Sequence, residues 1–184
     1  MSKLYTGLAA SFDLECTPGL DPVWSRLLCG VVKPWKQDAK VFRLSRASAN
    51  DSGLVKVLVE ELSHYAILFA HNGLWFDRAF LNGRALHYNL PTLDIAGKIV
   101  DPYQLARKHL NTKKNSLDAL AAHFNLSKQK MHVSPEVWVR ASLDHDEEAM
   151  LELIERCKSD CEVLEELAQR LLSVVGNITP WGSA

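Results

Sequence analysis

SFDLECTP, residues 11–18, closes a largely apolar run that begins at Gly7 and ends on two carboxylates, Asp13 and Glu15. Successive side chains of a β-strand point to opposite sides, so residues two apart share a side. Asp13 and Glu15 therefore project together while Leu14 faces the core. Two like charges held this close are costly unless a cation lies between them. Beyond this stretch, Pro18-Gly19, Asp21-Pro22 and Lys33-Pro34 mark turns around two more apolar segments. These are RLLCGVVK at residues 26–33 and KVFRL at residues 40–44. Three strands with no helix between them predict an antiparallel meander.

The period then changes. Asn50-Asp51-Ser52 offers an N-cap to a helix bearing Leu54, Val57, Leu58, Leu62 and Tyr65. AILFAHNG, residues 66–73, reads as a buried strand ending in turn residues, and residues 74–88 read as a second helix. AGKIVD, residues 96–101, reads as a short fifth strand. Pro102 suits the first turn of a helix running to about residue 110. Asn115-Ser116 caps the short helix LDALAAHF, Asn125 stops it, and residues 127–135 read as loop. Asp146 opens a long helix to about residue 174, with Met150, Leu153, Cys157, Cys161, Leu164, Ala168 and Leu171 along its apolar stripe. The expected architecture is α/β: a mixed β-sheet of three antiparallel strands then parallel strands, flanked by helices. One domain spans residues 1–175, and residues 176–184 form a flexible tail.

Composition narrows the classes. The chain has 184 residues, 47% of them hydrophobic, and a net charge of −1. No run of ~18 apolar residues is present, so no transmembrane helix is expected. The first residues, MSKLYTGLAASFDLE, do not form a secretory signal. Cys16, Cys29, Cys157 and Cys161 lack zinc-site spacing. Cys157 and Cys161 share a helix face and pack as small apolar residues. A reducing, cytoplasmic setting fits these features. Charge is unevenly spread: residues 107–130 carry six basic residues against Asp118 alone, and residues 144–166 carry ten acids against Arg156 and Lys158. The basic segment, with Lys113 and Lys114 at its centre, is a candidate phosphate-binding patch.

Two further carboxylates complete the pattern. Asp77 follows His71-Asn72-Gly73 and Phe76 in FAHNGLWFDRAFL, residues 69–81, and Asp160 lies mid-helix in LIERCKSDCEVLEEL, residues 153–167. Asn72 is placed to orient Asp77 or to touch a substrate. Phe76 is placed for the core or for stacking on a base, and His71 for a structural hydrogen bond. Four carboxylates from three separated segments can meet in one cleft and hold two divalent cations, an arrangement suited to in-line phosphoryl transfer.

These motifs, in this order and on these elements, resemble the DEDD superfamily of 3′–5′ exonucleases, whose fold is ribonuclease-H-like. WSRLLCGVVKPW (24–35), NSLDALAAHFNL (115–126) and the two segments above are similar to phage-type, stand-alone members related to family B polymerase proofreading domains. The resemblance implies that Asp13, Glu15, Asp77 and Asp160 bind two Mg²⁺ or Mn²⁺ ions. It implies release of 5′-mononucleotides from the 3′ end of single-stranded nucleic acid, DNA favoured. Leu14 and the Cys16–Thr17 turn would lie near the terminal nucleotide, and residues 108–130 would track the backbone upstream. Any proofreading role would need a protein partner in trans.

One position departs from the family pattern. Arg156 stands where this branch carries a tyrosine, four residues before Asp160, and Glu155 stands where the sister branch carries a histidine. Arginine stays protonated and offers no acceptor, so it cannot serve as a base. Three roles are open. Arg156 touches the scissile phosphate, or another residue such as His132 or His145 supplies the missing function, or Arg156 pairs with Asp160 one helical turn on. The alternative class is a catalytically weak or inactive nuclease-fold module that binds nucleic acid.

Overall fold

A computed structural model describes residues 8–93 and 99–175. Its sheet has the order β3-β2-β1-β4-β5. The strands are β1 (Ala9–Cys16), β2 (Leu27–Pro34), β3 (Lys40–Arg43), β4 (Ile67–Phe69) and β5 (Ile99–Val100). β1, β2 and β3 form the expected antiparallel meander. β4 lies parallel to β1, and β5 parallel to β4. The helices are α1 (Ser52–Ser63), α2 (Asp77–His87), α3 (Pro102–Leu110), α4 (Leu117–His123), α5 (Pro135–Leu143) and α6 (Glu147–Val175). This is the ribonuclease-H-like α/β fold, a five-stranded mixed sheet flanked by helices.

The two faces of β1 divide the molecule. Ala10, Phe12, Leu14 and Cys16 join a core with Leu58 and Leu62 of α1 and Phe80 and Leu81 of α2. Odd-numbered positions face α6: the Ser11 hydroxyl donates to the Cys161 carbonyl at 3.0 Å, and the Cys157 thiol to the Asp13 carbonyl at 3.1 Å. Cys157 and Cys161 are fully buried against Val31 of β2. At Gly30, where β2 passes under α1, an added side chain would have to push two leucine methyl groups aside. A Cβ there would lie 2.8 Å from Leu14 Cδ2 and 2.9 Å from Leu58 Cδ1.

Several local expectations change. Residues 74–76 form turns, so α2 begins at Asp77 rather than at Leu74. α5 was not foreseen, although Ser134 and Pro135 are an N-cap and first-turn pair, with Val137 and Ala141 buried one turn apart. Asp51 occupies the N-cap position of α1, but its side chain makes no capping bond. Instead the fully buried carboxylate accepts from Leu27 N (2.7 Å), Arg84 Nε (3.0 Å), Arg84 Nη2 (2.6 Å) and the Tyr88 hydroxyl (2.7 Å). One residue thereby ties β2 to α2. Asn111 and Asn125 end α3 and α4 in the left-handed region, which asparagine tolerates. Of the fifth-strand segment, Ala96, Gly97 and Lys98 lie outside the described residues, as does the tail at 176–184. Among the described residues, no helix is long and apolar enough to cross a membrane.

Candidate active site

Asp13, Glu15, Asp77 and Asp160 come together where the end of β1 meets α2 and α6. Strand alternation carries Asp13 and Glu15 toward α6, and Asp160 meets them from mid-helix. Asp77 enters from the first residue of α2, and its Oδ1 accepts the Leu14 backbone N–H at 3.2 Å. The turn that delivers it is tight. Asn72 has φ 58°, and a Cβ on Gly73 would lie 2.1 Å from Ala70 Cβ, so only glycine fits there.

The cluster is electrostatically loaded. Glu15, Asp77 and Asp160 are buried, at 6%, 3% and 3% exposure. Burial, with the charges of Glu15, Asp77 and Asp160, pushes the Asp13 carboxyl well above its usual range. Burial raises Glu15 as well, against the opposing pull of Arg156 and Trp138. Burial lifts Asp77 to about 7, although backbone N–H groups, including that of Leu14, hold it down. Asp13 Oδ2 and Asp160 Oδ1 are sealed from solvent with no hydrogen-bond partner.

Three residues from elsewhere surround the acids. Arg156 forms a salt bridge to Glu15 and reaches Asp160 Oδ2 at 3.3 Å. Its guanidinium lies over the Trp138 ring, 5.2 Å from the centroid, and Trp138 Nε1 donates to Glu15 Oε2 at 2.8 Å. Lys130 Nζ donates to Asp160 Oδ2 at 2.7 Å. The loop bearing Lys130 is fastened to α6: Ser127 and Lys128 donate backbone N–H groups to Glu166, and Ser159 donates to the Gln129 carbonyl. Arg156 makes the expected pairing with Asp160 and adds Glu15 to it. His132 pairs with Asp118 at 3.6 Å on the surface, and His145 lines a separate cleft with Arg43 and Glu147.

The other candidates fall in different places. Leu14 is buried in the core at 4% exposure. The Thr17 hydroxyl accepts from Arg26 N at 2.9 Å, closing the β1–β2 hairpin. Phe76 packs against the core and Phe80, their centroids 6.0 Å apart. Asn72 is exposed. Lys113 and Lys114 are exposed between α3 and α4. Burial pushes His71 down to about 4, so the ring is neutral, but both ring nitrogens are buried without a hydrogen-bond partner and the expected structural hydrogen bond is not made. Trp138 and Lys130 were missed as partners of the acids. A tryptophan with its N–H to satisfy, on a short amphipathic helix, was the available signal for the first. Nothing local distinguishes Lys130 from its basic neighbours.

The donor set suits a divalent cation: four hard carboxylates, two oxygens buried without partners, and mutual repulsion that a cation would relieve. Among the described residues, however, no three Asp, Glu, His or Cys side chains are gathered closely enough to hold an ion as they stand. Arg156 and Lys130 occupy oxygens of Glu15 and Asp160 and already supply part of the positive charge. A cation therefore fits the chemistry of the site, in competition with these two side chains.

A pH dependence follows. Asp77 is raised from 3.8 to about 7 and Asp101 to about 6, both chiefly by burial. An acid with a raised folded pKa stabilises the fold below its unfolded value and loses that contribution as pH rises through the folded value. His71, lowered from 6.5 to about 4, acts oppositely over that interval, but four raised carboxyls outweigh one imidazole. The melting temperature of the metal-free protein should rise as pH falls from about 8 to about 5. A scan that is flat, or of opposite slope, would contradict this electrostatic account.

Residues 10–172 match the RNase_H superfamily. No curated protein matches the chain. Among solved structures, the chain is similar to the family B DNA polymerase of the hyperthermophilic archaeon Pyrobaculum calidifontis, with TM-score 0.72 and 20% identity over 89% of this chain. It spans only 24% of that polymerase. It is also similar to Brucella melitensis NrnC bound to pGG, with TM-score 0.66 and 20% identity over 95% of this chain and 76% of that one. NrnC with bound Mg²⁺ gives TM-score 0.63 at 19% identity with the same coverage. The strand order, the position of the acids on it and the match over nearly the whole chain agree: this protein belongs to the RNase_H superfamily.

Proposed function

We propose that the chain is a metal-dependent 3′–5′ exonuclease of the DEDD type, acting on single-stranded nucleic acid, with DNA favoured over RNA. The observation that supports this most is the meeting of Asp13, Glu15, Asp77 and Asp160 with two sealed, unpartnered carboxylate oxygens. The four carboxylates would hold two Mg²⁺ or Mn²⁺ ions. Such ions supply an acidified water and charge stabilisation for an in-line displacement at phosphorus. The Leu14 N–H and the first turn of α2 fix Asp77 against β1. Trp138 fixes Glu15 through its indole N–H. Despite burial, Glu15, Asp160 and Asp13 hold the Arg156 guanidinium protonated, so it contributes positive charge and no base. The polymerase and NrnC likenesses support a nuclease reading.

The test is degradation of 5′-labelled single-stranded DNA and RNA with Mg²⁺, Mn²⁺ or EDTA. A metal-dependent ladder of shortening labelled products is expected. Immediate release of the label as a mononucleotide would reverse the polarity. The absence of cleavage, with binding retained, would favour the second reading, an inactive binding module. That reading draws on the salt bridges that Arg156 and Lys130 already make to the acids.

Arg156 separates the two readings further. Arg156→Tyr removes a competing cation and restores a hydroxyl, so cleavage should quicken, by up to about 10²-fold if a positioned proton-transfer group is what was missing. Arg156→Gln should bind Mn²⁺ more tightly in a spectroscopic titration and melt earlier without metal. Equal or weaker Mn²⁺ affinity would show that Arg156 does not compete for the site.

A further inference from the structure

β4 and β5 are parallel neighbours, and each runs into a loop and then a helix. Outside their carboxyl ends the segments leading into α2 and α3 stand apart and leave a crevice. Here that crevice is a cleft of about 440 Å³, within the range of small-ligand sites (~300–1,000 Å³), walled by Asn72, Trp75 and Arg78 on one side and Tyr103 and Arg107 on the other. The walls are tied together. Asp101 Oδ1 accepts both Asn72 N and Tyr103 N at 2.9 Å, and the His71 ring stands edge-on to Tyr103, 5.8 Å between centroids.

The lining is unusual for a solvent-washed groove. Trp75 is 75% exposed, although it sits two residues before the buried Asp77. Arg78 has a buried Nε with no hydrogen-bond partner. Neither Arg78 nor Arg107 has an ion-pair partner among the described residues, as is also true of Arg26, Arg46 and Arg170, but these two alone line the cleft. An exposed indole, a tyrosine and two unpaired guanidiniums match a base with its flanking phosphates. Aromatic faces stack on any base, and arginine forks pair with phosphate oxygens.

We propose that this cleft is a nucleotide subsite for single-stranded nucleic acid, taking a base against Trp75 or Tyr103 and its phosphates on Arg78 and Arg107. It rests on the nuclease reading and adds to it. The strand would be held beside the loop that delivers Asp77, and a single nucleotide would bind more weakly than a short oligomer.

The test is fluorescence anisotropy of a labelled single-stranded oligothymidylate, in EDTA and again in Ca²⁺, for wild type, Trp75→Ala, Trp75→Phe and Arg78→Gln/Arg107→Gln. Trp75→Ala should weaken binding by about tenfold or more, the scale of base–aromatic stacking, and Trp75→Phe should restore most of it. The double arginine variant should lower the slope of log affinity against log salt, by about 0.7 for each phosphate left without its arginine. Circular dichroism establishes that each variant is folded. Wild-type affinity in Trp75→Ala and the double variant under both conditions overturns the subsite, as does failure of the wild type to bind. The readout needs no cleavage. Degradation by wild type with unchanged binding by the variants removes the cleft and keeps the nuclease; weakened variants with no degradation by wild type do the reverse.

Discussion

Asp13→Ala should abolish Mg²⁺-dependent degradation of single strands, and Asp160→Ala should do the same. Asp13 is the acid that feels the charge of each of the other three, and one of its oxygens is sealed without a partner. Asp160 is the point where Lys130 and Arg156 meet the cluster. A metal-assisted displacement draws several kcal/mol from charge stabilisation, so losing one ligand corresponds to a rate loss of roughly 10³-fold or more. The fold supplies its own control. Removing a carboxylate from a repelling cluster relieves strain, so metal-free Asp13→Ala should melt no lower than wild type. Loss of activity with an intact melting curve places the chemistry at the cluster. Degradation at the wild-type rate by either variant would mean that the chemistry lies elsewhere.

Asp51→Ala should produce the largest loss of stability for a single substitution outside the cluster, about 3–5 kcal/mol by urea unfolding, because it strands a buried cation. Asp51 and Arg84 are 0% and 4% exposed and joined by two hydrogen bonds, with Leu27 N and Tyr88 completing the set. Burial would raise the Asp51 carboxyl, yet its bonds to Arg84, Tyr88 and Leu27 hold it below its ordinary value. In a domain of this size the loss corresponds to a fall of roughly 6–20 °C in melting temperature. Arg84→Ala should cost a similar amount, and the double variant less than the sum, since the two share one interaction. A loss below about 1 kcal/mol in Asp51→Ala would show that the network merely fills space.

How much of this was legible beforehand depends on the distance over which each feature is encoded. The pairing of Asp13 with Glu15 needed only strand alternation. The burial of Cys157 and Cys161 needed only the helical period. The meander needed three apolar runs with turns between them. Asp51 was legible as a helix start by position, but its carboxylate serves β2 and α2, which local capping rules do not anticipate. α5 escaped notice although its start was marked by Ser134-Pro135. Without it Trp138 had no place, and the indole that holds Glu15 was lost with it.

Most of the elements and the face of β1 on which two acids project are written in the linear chain, because they follow from periods of two and 3.6 residues within short segments, whereas Asp77 and Asp160 were picked out by the resemblance of their motifs to a nuclease family. What surrounds the acids is settled by packing alone. Trp138 meets Glu15 across 123 positions, Arg156 meets Glu15 across 141, and Lys130 meets Asp160 across 30. The cleft between Trp75 and Tyr103 exists only because β4 and β5 lie side by side. No local rule specifies such contacts. They arise when the packing of α5 and α6 on the sheet brings distant segments into one low-dielectric space, where a buried carboxylate must find a cation.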